Sequence, residues 1–389
     1  MSATARETLE LVRPQGPVPL GFARRGTSVF LVARERSARW PVELLRAGRA
    51  TLRLASENLE GQVQLVVGRS EQEDVLELFR DKYGSERYRR WYEHPARVLE
   101  VQLGPPAAPV PEEHRYYGWL QSEFDNVAED YDRHITGNRM NRLLRDRSLG
   151  RMRTLFRGAR CLLEIGCGSG METLPLLQEG HEITAIDISE QMLEVVRRKA
   201  RTAGVAERLR TVRAPARDLP TLVPSLGEGS FDGAYSTYGA LNCEPDLRPL
   251  PSAFHRLLRP ESRLFAGVYN RWCLFEILGY GITGQWSRAL GRRHRPVPVG
   301  TSRFCVDVYA LTPADLRRDF APYFEMEALE GVPILLPPSD LTSYAERFTS
   351  HFGLLDAWDR RMGAHWPLDH LGDHFLMTLR RRAVRDAGT

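Results

Sequence analysis

The segment Leu162-Leu-Glu-Ile-Gly-Cys-Gly-Ser-Gly170, followed by Thr184-Ala-Ile-Asp-Ile-Ser189, restricts this chain more than any other. An apolar run ends in a Glu-x-Gly-x-Gly-x-Gly turn, a helix-like stretch follows, and a second apolar run ends in the acid Asp187. Two such runs joined through a helix read as one β-α-β unit with parallel strands. Glycines at its mouth let the backbone turn sharply and come close to a ligand. Asp187 then lies where a carboxylate can accept the hydroxyls of a ribose.

The spacing argues against a dinucleotide. A pyrophosphate site reads Gly-x-Gly-x-x-Gly, with the phosphates on the N-terminus of the next helix. Here the third glycine comes one residue early, and Glu164 precedes the first. A carboxylate at that strand end repels a pyrophosphate but suits a ligand carrying an ammonium and a sulfonium.

These motifs closely resemble the class I S-adenosylmethionine-dependent methyltransferases, from about residue 116 to about residue 270 and more loosely beyond. The resemblance implies an α/β fold: a doubly wound, seven-stranded Rossmann-like sheet with its last strand antiparallel. It also implies that Glu164, Gly166, Gly168 and Gly170 hold the methionine portion of S-adenosyl-L-methionine, and that Asp187, with Ile188 beside it, holds the ribose. Tyr131 matches the aromatic of a leading segment that closes over the cofactor in the family, although Phe124, Val127 and Tyr131 equally make one apolar helix face. Where relatives often carry an acid for the adenine amino group, this chain has Pro215, which leaves Asp218 or a backbone group for that contact.

At 389 residues the chain exceeds what one core usually serves. The sharpest boundary is Gly104 to Glu112, with four prolines in nine residues. The expected division is residues 1–104, a linker at 105–115, and 116–389. Before the linker, strands at 28–33, 50–55, 62–67 and 96–103 and helices at 39–48 and 70–94 make a smaller α+β domain. Its order, with Trp40 and Lys82-Tyr-Gly84, is similar to the split-barrel proteins that bind FMN or deazaflavin, with the first strands shortened or absent. No phosphate-binding cluster stands out, so a structural or dimerising role, giving a homodimer through this domain, is expected ahead of a flavin site.

The net charge of +4 is small for this length, and nearly all of the basic residues are arginine. A coding bias explains that better than nucleic-acid binding. Five cysteines show no paired or metal-like spacing. No run approaches the ~18 apolar residues of a membrane span, and no leader-like apolar core opens the chain. The cytoplasm, no metal, no nucleic acid and no stable membrane insertion are the expectations.

Methyl transfer from a sulfonium needs alignment and exclusion of water more than a reactive side chain. The Ser236-Thr-Tyr-Gly-Ala-Leu-Asn242 segment lacks the Asp/Asn-Pro-Pro-aromatic motif that holds a flipped base, and Cys243 follows asparagine rather than proline. The double-glutamate loop of protein arginine methyltransferases is also absent. A small acceptor remains. Insertions near 271–309 and 338–371 carry Trp272, Phe275, Tyr280, Trp286, Tyr344, Phe348, Phe352, Trp358 and Trp366, and read as a lid over an apolar pocket. Packing of the lid helices among themselves accounts for any single one equally well. The basic run Arg288 to Arg295 reads as a solvated loop ahead of a head-group or membrane contact.

An antiparallel last strand at 374–379 begins where the parallel strands end. Asp373 and His374 therefore belong near the active face, with His374 as candidate base and Tyr238 and Asn242 as acceptor-positioning groups. His134 is a weaker rival. The expected activity is methylation of a small, apolar or lipid-like metabolite. Two other readings stand beside it: a flavin or deazaflavin oxidoreductase fused to a methyltransferase domain, and a non-catalytic S-adenosylmethionine-binding module.

Overall fold

The computed structural model of the protein describes residues 8–33, 40–66, 69–92, 97–104, 112–301, 304–341 and 352–383. They fall into two compact units, Met1–Val127 with Val299–Val306, and Ala128–Pro298 with Asp307–Thr389.

In the first unit, β1 (Thr8–Leu11), β2 (Val18–Arg25) and β3 (Ser28–Ala33) precede helix α1 (Trp40–Ala47). The hairpin of β4 (Arg49–Leu54) and β5 (Glu57–Leu65), helix α2 (Arg69–Trp91), β6 (Arg97–Leu103) and helix α3 (Glu112–Val127) follow. The strands close into an antiparallel barrel ordered β1-β2-β3-β6-β5-β4, sealed by pairing of β1 with β4. Alternating burial sends Leu11, Leu31, Leu52, Leu99 and Val101 inward. The first strands are thus present rather than absent, with β1 shortened to four residues, and Pro19 and Gly21 blur the pattern of β2. Lys82 and Tyr83 are engaged with the barrel, the ammonium donating to Phe22 O across 2.7 Å and lying over the Phe22 ring.

The expected boundary at 105–115 falls too early. Helix α3 packs Tyr116 and Trp119 into the barrel's core, so the residues that follow the proline-rich stretch still belong to the first unit. The carboxylate of Glu123, fully buried, pairs with Arg97 and accepts from Trp119 Nε1 at 3.2 Å and from the Cys305 N–H at 2.8 Å.

The second unit opens with α4 (Tyr131–Gly137) and α5 (Arg139–Leu155), then alternates β7 (Cys161–Ile165), α6 (Thr173–Gln178), β8 (Glu182–Asp187), α7 (Glu190–Thr202), β9 (Leu209–Arg213), α8 (Leu219–Leu226), β10 (Phe231–Ser236), α9 (Leu250–Leu257) and β11 (Leu258–Tyr269). The insertion after β11 holds α10 (Leu274–Ile282), α11 (Trp286–Ala289) and the ribbon of β12 (Val297–Thr301) and β13 (Phe304–Val308). Then come α12 (Pro313–Phe320), β14 (Phe324–Val332), α13 (Phe352–Met362) and β15 (His374–Arg381).

The seven-stranded sheet runs β14-β15-β11-β10-β7-β8-β9. Strand β15 pairs antiparallel with both neighbours, and the remaining neighbouring pairs are parallel. Its central strands are buried on both faces, which is why they read as continuous apolar runs. The strand order reverses between β7 and β10, and in open α/β sheets the ligand crevice lies at that point, outside the carboxyl ends. Helix α7 starts where the Ser189 hydroxyl caps the Met192 N–H at 3.1 Å, and turns Met192, Leu193, Val196 and Ala200 inward. Among the described residues, no helix is long and apolar enough to cross a membrane.

Candidate active site

All three loop glycines have left-handed backbone, with φ of +73° at Gly166, +51° at Gly168 and +78° at Gly170. Their surroundings differ. A Cβ on Gly166 would meet Ala240 Cβ at 2.3 Å, and one on Gly170 would meet Val196 Cγ2 at 2.2 Å. A Cβ on Gly168 would meet nothing within 4 Å. The outer two glycines therefore serve packing, while the middle one faces open space at the switch point.

Asp187 ends β8 beside this loop, accepting from the Gly168 N–H at 2.8 Å and the Ser189 N–H at 2.9 Å. Ile188, between them, is half-buried. Glu164 lies beneath the loop, where Thr173 Oγ1 donates to it at 2.6 Å. Burial pushes its carboxyl up to about 8, against that hydrogen bond, which favours the charged form.

Helix α4 is pinned over the loop. Its Asp132 accepts from the Ser169 hydroxyl and pairs with Lys199, whose ammonium donates to Ser169 O at 2.7 Å. This brings Tyr131, the first residue of α4, within electrostatic reach of Arg145, Glu172 and Asp187, and burial raises its phenol while Arg145 opposes the rise. Arg145, from α5, pairs with Glu172 and lies over the Tyr238 ring, 4.0 Å from its centroid. Its Nε and the Tyr238 hydroxyl are both buried without a hydrogen-bond partner among the described residues. Tyr238 also holds a left-handed backbone, φ +58°, immediately before Gly239 at +79°. Two unpartnered polar atoms and a strained residue thus gather at one end of the sheet.

The register puts His374 opposite Tyr269, the last residue of β11. Its Nδ1 meets Asp373 Oδ2 at 3.0 Å, while Nε2 makes no hydrogen bond among the described residues. The ring stacks on Tyr238 with centroids 5.9 Å apart and meets the edge of Tyr269 at 5.4 Å. Such a dyad can take up a proton at Nε2 while the carboxylate supports the imidazolium.

Behind it lies a second buried ion cluster. Arg292 engages all five of its N–H donors: Nε and Nη2 meet the Glu276 carboxylate, Nη2 meets Asp373 Oδ1, and Nη1 donates to Asn270 O and Asp373 O. Arg292 also lies over the Tyr269 ring at 4.1 Å. Its charge holds the Asp373 carboxyl well below the usual range, against the effect of burial. The solvated-loop reading of 288–295 therefore fails at Arg292, which a fourfold-basic run conceals.

Asn242 is not positioned to hold an acceptor. Fully buried, it accepts from the Tyr269 N–H at 2.8 Å and donates to Tyr269 O and Tyr309 O at 3.0 Å each, clamping β11 to the segment after β13. Asp218 stands in a short turn with a partly exposed carboxylate 3.7 Å from Arg217 Nε. The buried acid near that turn is Glu244, which accepts from the Arg217 N–H at 3.2 Å. The side chain of His134, and Tyr344 and Phe348, lie outside the described residues. The lid aromatics divide: Phe352 is buried under Arg139, but Trp286, Trp358 and Trp366 are 60%, 58% and 80% exposed, so those three enclose nothing. Arg145, Glu172, Glu276 and Arg292 were not legible beforehand, because four separate segments deliver them.

Fold and site together define a nucleotide-binding α/β unit with an acidic, glycine-lined mouth. Residues 162–261 match the family described as methyltransferase domain, and this match supports a class I S-adenosylmethionine-dependent methyltransferase in that part of the chain. Over 125 residues the chain is 30% identical to a ubiquinone biosynthesis O-methyltransferase of Pseudomonas paraeruginosa, covering 31% of this chain and 50% of that one. It is also 30% identical over 168 residues to a demethylmenaquinone methyltransferase of Symbiobacterium thermophilum, covering 40% and 60%. The chain thus spans about half the length of the first of these relatives. Among solved structures, the Burkholderia thailandensis 1,6-didemethyltoxoflavin-N1-methyltransferase is 20% identical, with a TM-score of 0.42, over 73% of this chain and 96% of that one.

Proposed function

We propose that the chain transfers a methyl group from S-adenosylmethionine to a hydroxyl of a small, apolar acceptor. The residues fit the methyl donor. The open side of Gly168 leaves room for it, while Glu164 would serve its cationic methionine end and Asp187 its ribose. Arg145 Nε, buried and unpartnered, suits the donor's carboxylate. When bound, the sulfonium supplies an already activated methyl group, and the chain's own residues align the acceptor and exclude water.

The observation that carries the acceptor reading is His374, backed by Asp373 and stacked on Tyr238, with an Nε2 that makes no hydrogen bond among the described residues. A hydroxyl is protonated at neutral pH and gains from such a base, whereas a preformed anion or a neutral amine does not. The apolar character rests on the aromatic surroundings, and is in keeping with relatives whose names refer to ubiquinone and menaquinone.

The test is transfer of label from methyl-labelled S-adenosylmethionine into the organic-soluble fraction of a cell extract, by the parent and by His374→Gln. Loss of at least a hundredfold in the variant, with cofactor affinity unchanged, is expected from removal of a general base. Label in protein or nucleic acid would overturn the acceptor class, and full activity of the variant would overturn the base.

A further inference from the structure

Arg292 and Glu276 belong to the insertion after β11, yet they end on the carboxylate that supports His374. We infer that Glu276 and Arg292 are positioning residues that fix the protonation of the Asp373–His374 dyad, so that Nδ1 keeps its proton and Nε2 is left to receive the acceptor's. This rests on the reading of His374 as the base.

The geometry divides Asp373 cleanly: Oδ1 faces Arg292 and Oδ2 faces His374 Nδ1. A carboxylate paired with a guanidinium is a weak proton acceptor, so the shared proton stays on the imidazole. That choice of tautomer leaves Nε2 with a lone pair aimed away from Asp373. Every Arg292 donor is engaged, so its fork cannot swing and Asp373 cannot rotate.

Charge sets the second half of the argument. Around the imidazole stand Asp373 on its own strand, Tyr269 at the end of β11, and Tyr238 after β10 with Arg145 and Glu172 behind it. From the insertion come Cys273, Glu276 and Arg292. Arg145 and Glu172 offset each other. Asp373 and Glu276 against Arg292 leave one net negative charge, and this stabilises an imidazolium once formed. In the reaction Nε2 takes the hydroxyl proton, and the oxygen's electron pair forms the new bond to the methyl carbon. The bond from that carbon to sulfur breaks with its pair retained by sulfur, giving a methyl ether and a neutral thioether. His374 then returns its proton to solvent.

The experiment is an NMR titration of the holo-protein with isotope-labelled histidine, the His374 signal being assigned by its absence in His374→Gln. In the parent, the nitrogen shifts should report a proton on Nδ1 in the neutral form. Arg292→Gln removes the positive charge, so His374 should titrate about one unit higher. Glu276→Gln removes a negative charge and should move it down by a similar amount, and Arg292→Lys should restore most of the parent value. The pH–rate profile should follow the titration in each variant. A merely structural role predicts no opposed shifts. Shifts of the same sign, or none, or a proton on Nε2 in the parent would overturn the inference and leave the base reading standing. Glu276→Gln is nearly isosteric and keeps the test valid if Arg292→Gln fails to fold. Full activity of His374→Gln would instead sink the base reading, whatever the titration shows.

Discussion

The Gly168 N–H donates to Asp187 Oδ2 across 2.8 Å, so the acid expected to grip a ribose also fixes the loop that would cradle the ligand. Removing it therefore has two effects. Asp187→Ala should weaken S-adenosylmethionine binding by roughly 1.5–3 kcal/mol, the worth of charge-assisted hydrogen bonds. It should also raise hydrogen exchange at Gly168 and Ser189 in the free protein. Calorimetry that finds unchanged affinity would refute the ribose assignment.

The two ends of the glycine loop should respond differently to alanine. Gly170→Ala drives a Cβ to 2.2 Å from Val196 and should cost about 2–4 kcal/mol through overpacking added to left-handed strain. Gly168→Ala carries only the strain, roughly 1–2 kcal/mol, yet should weaken cofactor binding, because its Cβ enters the space left for the ligand. Equal loss of stability in the two variants would contradict this division.

Glu164 gives the site a pH signature. Its folded value of about 8 lies above the ordinary 4.5, so between those limits the folded chain holds a proton that the unfolded chain has released. Stability from this group is complete below about pH 4.5 and declines as pH rises through about 8, by an amount on the order of a few kcal/mol. Glu164→Gln should flatten that decline. A cationic ligand favours the ionised carboxylate, so its binding near pH 7 should release a proton, measurable as a dependence of calorimetric heat on buffer ionisation. No such dependence would argue against contact between Glu164 and the ligand.

Tyr238 offers a test that separates folding from function. Its hydroxyl is buried without a partner among the described residues, so Tyr238→Phe should leave the free protein as stable or more stable by about 1 kcal/mol. If the hydroxyl orients the acceptor, kcat/KM should nevertheless fall at least tenfold, about 1.4 kcal/mol. A variant that is destabilised, or unimpaired in turnover, would rule out that role.

What the sequence revealed follows from distance along the chain. Glu164, the glycines and Asp187 form one β-α-β unit of some two dozen residues, where local sterics and apolar period fix the geometry. The place of His374 was legible from topology, since an antiparallel strand starts where its neighbours end. Arg145, Glu172, Glu276 and Arg292 meet only through tertiary packing, and nothing in their local patterns marks them as buried. Asn242 misled because a polar residue after a strand end looks like a ligand contact, whereas here it satisfies backbone groups of two other segments. The early domain boundary failed because composition records where chain is irregular, and α3 lies beyond that stretch.

Glu123 of the first unit receives one of its donors from Cys305, 182 residues further along. A ribosome releases Arg97 and Trp119 long before that donor exists. During synthesis, the barrel therefore emerges with a buried carboxylate short of one partner, and it stays so until the parallel core of the other unit has been made. Completion of the barrel then waits on the chain's return, so cutting the gene at the proline-rich stretch would leave the second unit whole on one fragment but divide the first between the two.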